Sequence, residues 1–580
     1  MAENSEINDS ERYTTADALL EVLQEMGVSY LFSNLGSDHS SIIEGLAKAR
    51  SKNIPLPEVI ICPHEQVALA AAHGYALISQ KAQAVLVHCD VGTQSMGGAV
   101  HNISRARVPA FIFAGETPYT LEKELRGTRN RHVNFLQDVH DQRGIVRPYV
   151  KWEYDIRTGR NVKQLVSRAL QLAHSEPCGP VYLTGAREVL EEEVEPVSIP
   201  TNKWSPTEPS TITAHAVEEI VSALAGAKNP LILTSYLGRK KETVYELIQF
   251  SESLGIPVIE QHASYTNFPG DHPLHLGFQE GKFLSQADVI LVLDNDVPWL
   301  ASLNQPSEDA QIYYVDMDPL KEDLPLWYMP SHKFFKADSY EVLKQFNECV
   351  QNKHVDQTLV RERYQYFKNI HDEQRAQWEQ ERMSDDGVIT PAMLTTCIQE
   401  LIDEDTIVID ESGTNIGNVN KYLPRTKPGT LFRKGGTSLG WNGGAALGVK
   451  LAAPEKTVVN LTADGSYLLS VPSTVHWMSR KYNAPFLTVI YNNQGWNATK
   501  ENVLRLYPDG MAGQHDRFWV NFDQPADLAK IAEAAGGAYA QTVQDPRELK
   551  EVLTAALHEV KNNRSAVIDV RLPPISKQTD

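Results

Sequence analysis

Two short apolar runs in the last third, Val458–Leu461 and Phe486–Tyr491, each run directly into residues that can ligate a cation. The first leads into Thr462-Ala463-Asp464-Gly465-Ser466, and the second into Asn492-Asn493-Gln494-Gly495. Short, mainly apolar runs of this length read as strands covered on both faces, the pattern of a parallel sheet. Parallel neighbours need a crossover between them, and the amphipathic stretch separating the runs supplies one. If the two strands pair, Asp464 and Asn493 reach the same sheet edge, where open α/β sheets take their ligands. A carboxylate, an amide oxygen and the Gly495 carbonyl form half an octahedron for Mg²⁺. A phosphorylated ligand and water would complete it. Gly465 and Ser466 begin a helix whose N-terminus can face the same anion.

The pattern recurs along the chain, and 580 residues are too many for one core. In the first third a helix starts at Thr15 as its cap and runs to Met26. Strand-type runs follow at Tyr30–Ser33, Val59–Cys62, Ala84–Val87 and Pro109–Gly115. The first enters a loop with Gly36, Ser37, Asp38 and His39, and the third ends at His88. The second ends before Glu65, in the first turn of an Ala-rich helix. There the helix dipole favours a carboxylate while small apolar neighbours strip it of water. The last third repeats this arrangement weakly. Gly74–Leu77 echoes Gly444–Gly448, Val108–Phe111 echoes Ala484–Leu487, and Gly179–Val181 echoes Ser565–Val567. Between them, strands at Pro230–Thr234, Pro257–Glu260, Val289–Leu293 and Ile312–Val315 alternate with helical segments and lack a Gly-x-Gly-x-x-Gly loop. The expected fold is therefore α/β, with three doubly wound parallel-sheet domains at 1–190, 205–350 and 385–575. Residues 191–210 read as a linker, and 356–383 as a charged, solvated connecting helix. Thr390-Pro391 caps and opens the next helix.

A net charge of −20 argues against a nucleic-acid binder or a partner of anionic membranes. Anionic substrates must then be captured by local dipoles or a metal. The five scattered cysteines form no Cys-x-x-Cys pair, which suits a reducing compartment. The chain shows no secretory signal, peroxisomal address or membrane-length apolar run, so a cytoplasmic location is expected.

Asp464-Gly465-Ser466 followed by Asn492-Asn493 resembles the cofactor motif of thiamine-diphosphate (ThDP) enzymes of the acetolactate synthase, benzoylformate decarboxylase and pyruvate oxidase-like family. Two departures are visible. Ala463 replaces the motif's first Gly, and the 29 positions from Asp464 to Asn493 slightly exceed the usual spacing. The helix His64-Glu65-Gln66 through Gly74-Tyr75-Ala76 resembles the family's helix bearing its essential glutamate. The resemblance implies ThDP and Mg²⁺ as cofactors, with Asp464, Asn493 and Gly495 holding the metal. Thr414, Asn415, Gly465 and Ser466 would lie near the diphosphate, and Leu439 would prop the bent cofactor. Glu65 would bind the pyrimidine ring, with Ser37 and His88 as further catalytic residues. The middle domain holds FAD in some relatives, but nothing in this sequence supports it. The implied activity is decarboxylation of a 2-oxo acid through a cofactor-bound enamine, giving an aldehyde or an acyloin. An acetolactate synthase catalytic subunit and a non-catalytic regulatory subunit are the alternatives. Because Glu65 and Asp464 lie on different copies of the domain, the family's arrangement implies a homodimer or homotetramer with sites at the interface.

Overall fold

The computed structural model describes residues 11–382, 387–522 and 526–575. Among these residues three sheets form, each wholly parallel. The first contains β1 (Tyr30–Ser33), β2 (Glu58–Ile61), β3 (Gln83–Val87), β4 (Ala110–Glu116), β5 (Trp152–Asp155) and β6 (Pro180–Ala186). Its order is β2-β1-β3-β4-β6-β5. The middle sheet contains β7 (Pro230–Thr234), β8 (Val258–Glu260), β9 (Val289–Leu293), β10 (Gln311–Asp316) and β11 (Lys333–Lys336), in the order β11-β10-β9-β7-β8. The third contains β12 (Ile407–Glu411), β13 (Leu431–Phe432), β14 (Val458–Ala463), β15 (Leu487–Asn492), β16 (Tyr539–Val543) and β17 (Ala566–Arg571). Its order, β13-β12-β14-β15-β17-β16, repeats that of the first sheet position for position. The echoed segments at 108–111 and 484–487 lead into β4 and β15, which occupy the same place in the two sheets.

The central strands are mainly apolar and covered on both faces. Every residue of β3, β7, β9 and β15 is buried. The sequence pattern misses β5, β11, β13 and β16, all at or next to a sheet edge. Three of them, Trp152–Asp155, Lys333–Lys336 and Tyr539–Val543, mix polar residues into a half-covered strand and carry no continuous apolar signal.

Two local expectations change. The first helix spans Thr15–Glu25, and its cap is Thr14, whose backbone N–H donates to Asp17 Oδ2 at 2.8 Å. The helix Gln357–Arg382 is not merely solvated. It buries Val360, Phe367 and His371 against the middle domain. Arg363 donates to the carbonyls of Leu224, Ala225 and Leu254, closing the C-terminal ends of two helices.

The first and third domains share a core. The helices Glu65–Ser79 and Asn442–Ala452 lie against each other, and one apolar cluster runs from Val67 and Ala71 through Ala445 and Leu447 to Phe486. Small residues let the backbones touch. A Cβ on Gly74 would sit 2.1 Å from the Ala445 carbonyl oxygen, and one on Gly448 would sit 1.9 Å from that of Ala71. This contact sets the two sheets relative to each other.

Candidate functional site

β14 and β15 are parallel neighbours, with Ala463 opposite Tyr491. Asp464 and Asn493 therefore emerge side by side. Asp464 is buried; Oδ1 accepts from Gly465 N at 2.7 Å and Oδ2 from Gly495 N at 3.0 Å. Burial pushes its carboxyl up to about 6, held back by the N–H groups of Gly465, Gly495 and Gln494. Asn493 Oδ1 is buried and has no hydrogen-bond partner. Asn492 is committed elsewhere: its amide donates to Asp569 and its oxygen accepts from Gln494 N. Gly495 is held by flanking bonds from Trp496 N to Val520 O and from Phe522 N to Gln494 O. A buried carboxylate without a cation beside an orphaned amide oxygen is a hard-oxygen donor set that fits Mg²⁺.

Asn415 is buried in the turn after β12, and Thr414 is more exposed there, accepting from Asn497 Nδ2 at 3.4 Å. Asp464, Gly465 and Ser466 open the short helix Asp464–Leu469. Leu439 lies on the loop at 435–441, gripped from two sides. Glu411, buried at the end of β12, accepts from Gly440 N, Asn442 N, Asn442 Nδ2 and Lys434 Nζ at 2.7–3.1 Å. From the first domain, Asn102 donates to Ser438 O at 2.9 Å and accepts from Ser438 N at 3.0 Å. Neither Glu411 nor Asn102 was singled out from sequence. A pair of acidic residues, Asp410 and Glu411, closing the apolar run Ile407–Ile409 was the one visible sign of Glu411.

On the first sheet, the loop after β1 ties the other candidates together. Asn34 Nδ2 donates to Glu65 Oε1 at 2.8 Å, and Ser95 Oγ donates to Oε2 at 2.8 Å. Glu65 opens its helix as expected, but its setting is polar and half-open rather than purely apolar. Four residues after Asn34, Asp38 Oδ1 lies 2.6 Å from His88 Nδ1. This hydrogen bond holds the imidazole above its usual range, against the opposing effect of burial. Ser37, the sequence candidate, begins the turn Ser37–His39, and its carbonyl accepts from Arg187 at 3.5 Å. The carboxylate one residue later is what engages His88.

The equivalent edge of the middle sheet is filled by the chain's own charges. Lys321 is buried against Asp316 at 2.6 Å and Asp296 at 2.9 Å, beneath the Tyr236 ring. Arg107, from the first domain, lies 2.6 Å from Asp296 and stacks on Tyr236. A nucleotide phosphate would have to displace this network. No described helix is long and apolar enough to cross a membrane.

Three family models match in series: thiamine pyrophosphate enzyme, N-terminal TPP binding domain, over 13–145; central domain, over 217–326; and C-terminal TPP binding domain, over 411–570. The chain is similar to the acetolactate synthase isozyme 3 large subunit of Escherichia coli, at 24% identity over 97% of this chain and 95% of that protein. It is also similar to the sulfoacetaldehyde acetyltransferase of Castellaniella defragrans, at 24% identity over 94% and 92% of the two chains. Among solved structures it resembles the benzoylformate decarboxylase of Polynucleobacter necessarius. The TM-score is 0.77 at 20% identity, covering 97% of this chain and 98% of that one.

Proposed function

The chain belongs to the thiamine pyrophosphate enzyme family, and from that membership we propose that it is a ThDP- and Mg²⁺-dependent decarboxylase or carboligase acting on a 2-oxo acid. The observation that carries the reading is the buried Asp464 carboxylate beside the unpartnered Asn493 Oδ1. With the Gly495 carbonyl they would hold Mg²⁺. Thr414, Asn415, Gly465 and Ser466 would line the diphosphate, Leu439 would support the cofactor's bend, and Glu65 would bind its pyrimidine ring.

When bound, thiamine diphosphate supplies a nucleophilic carbon and an electron sink for cleaving the carboxylate from a 2-oxo acid. The protein's contribution is placement and protons. Asn34 and Ser95 orient the Glu65 carboxyl. His88, whose protonated form is favoured by its hydrogen bond to Asp38, is suited to hold the substrate carboxylate or relay a proton, with Ser37 as a further candidate for these roles. The rigid mounting of Leu439 fixes one wall of the cofactor site.

The site is shared between two copies of the chain in this reading. Exposed apolar side chains fringe both halves: Val91 and Phe135 on the Glu65 side, and Trp496 and Leu469 on the Asp464 side. Such fringes mark surfaces to be covered, here by a second copy in a homodimer or homotetramer. All five cysteines are free, which supports a reducing, cytoplasmic setting.

Acetolactate synthesis is the second reading, favoured by the curated relatives' activity. A panel of 2-oxo acids with ThDP and Mg²⁺, following CO₂ and the carbonyl product, separates the two. Free aldehyde or acyloin supports the first reading, and acetolactate from pyruvate supports the second. No CO₂ from any 2-oxo acid, with ThDP bound, overturns both.

A further inference from the structure

The Asp38–His88 pair is built into the fold more firmly than a chance surface contact. Asp38 is 2% exposed, and both of its oxygens are engaged. Oδ1 faces His88 Nδ1 at 2.6 Å and His39 Nδ1 at 3.2 Å. Oδ2 accepts from Cys89 N and Cys89 Sγ, each at 3.3 Å. Two glycines make the room. A Cβ at Gly36 would fall 2.2 Å from His88 Nδ1 and 2.5 Å from Asp38 Oδ1; one at Gly115 would fall 1.9 Å from Asp38 Oδ2. Cys89 accepts a left-handed backbone, φ +40°, to aim its N–H and thiol at the same carboxylate. Three segments therefore converge on one carboxyl group: the loops after β1 and β3, and the end of β4.

We infer that Asp38 is the positioning residue of the candidate catalytic site, fixing His88 with Nδ1 as donor so that Nε2 is the ring atom that exchanges a proton with substrate. The inference rests on the proposed catalytic role of His88 and adds the group through which that role is set. The logic is that of a carboxylate–imidazole pair: the buried anion selects one tautomer, fixes the ring plane and stabilises the cation. Burial alone would push the Asp38 carboxyl up, but His39 and His88 outweigh it and hold the group well below the usual carboxylate range. The charged form of Asp38 is thereby favoured beside His88. The groups facing the pair are His39 on the same turn, Cys89 and Asp90 on the helix after His88, Gln137, and Glu116 beyond Cys89. His39 is the other basic group among them, its Nδ1 3.2 Å from Asp38 Oδ1.

The test is a double-mutant cycle with Asp38→Asn and His88→Ala, read on the 2-oxo acid that gives turnover, with ThDP binding as the check on folding. Asp38→Asn keeps the shape and can still accept from Nδ1, but it removes the charge. The expected result is a fall in kcat of about 10- to 100-fold, with the pH limb of His88 displaced to lower pH. Asp38→Asn should add nothing once His88 is Ala, because one group acts through the other. Additive losses, or an unmoved limb, overturn the inference. If His88→Ala alone turns over like the wild type, the catalytic reading of His88 fails instead. A readout without turnover comes from ¹⁵N-histidine spectra of the cofactor-free wild type, which also serves if Asp38→Asn does not fold. The neutral His88 ring should carry its proton on Nδ1; the Nε2–H tautomer overturns the inference.

Discussion

Asp464, the proposed metal ligand, is a buried charge with no compensating cation beside it, so Asp464→Asn should improve the stability of the metal-free fold and, on the proposed reading, abolish cofactor binding. The carboxyl moves from 3.8 to about 6 through burial. A folded-state value above the unfolded one means that the penalty is absent below the unfolded value and complete above the folded one. It is worth about 3 kcal/mol at pH 7.5 and about 1.6 kcal/mol at pH 5. Against this, Asn can serve only one of the two N–H donors, Gly465 and Gly495, as an acceptor. That loss of about 1–2 kcal/mol is independent of pH. The net change at pH 7.5 is therefore a modest gain. The pH dependence isolates the charge: variant minus wild type should become more favourable by about 1.4 kcal/mol between pH 5 and pH 7.5. Urea titrations of the cofactor-free protein in chelator, followed by a probe in the third domain, measure it. A difference that does not change with pH, or that runs the other way, would refute the burial argument.

Two further perturbations probe the frame around the site. Gly448→Ala forces a methyl group toward the Ala71 carbonyl, 1.9 Å away, and should cost about 1–3 kcal/mol in the same titrations. A loss below about 0.5 kcal/mol would show that the two helices slide apart freely. Glu411→Ala orphans the donors of Gly440, Asn442 and Lys434. It should lower stability by about 2–4 kcal/mol and weaken ThDP binding by at least about tenfold; unchanged affinity would remove the Leu439 loop from the cofactor site.

The sequence carried the architecture wherever strands were buried on both faces. β14 and β15 were legible because apolar residues dominate them and both faces are covered, and their polar ends could then be placed at one edge. β5, β11 and β16 were not legible, since an edge or near-edge strand needs only one covered face and its pattern blends into a loop. The site divided in the same way. Asp464, Asn493 and Glu65 sit at strand or helix ends, which one-dimensional patterns locate well. The partners that orient the site do not. Asn34 reaches Glu65 across 31 positions, and Asp38 reaches His88 across 50. Asn102 reaches Ser438 across 336. Pairings so distant appear only once the crossovers have stacked the segments. The resemblance pointed to Ser37 in this turn, whereas Asp38, the carboxylate beside it that faces His88, became visible only in the structure.

The central claim is that Glu65 from one copy and Asp464 from another grip a single cofactor. Coexpression of Glu65→Gln and Asp464→Asn chains, each inactive alone, tests it most directly. In a mixed dimer, one shared site would carry both substitutions and the other neither, so random pairing should restore about a quarter of wild-type turnover. No recovery in mixed dimers whose formation is verified with two different affinity tags would contradict the claim and place both residues in a site within one chain.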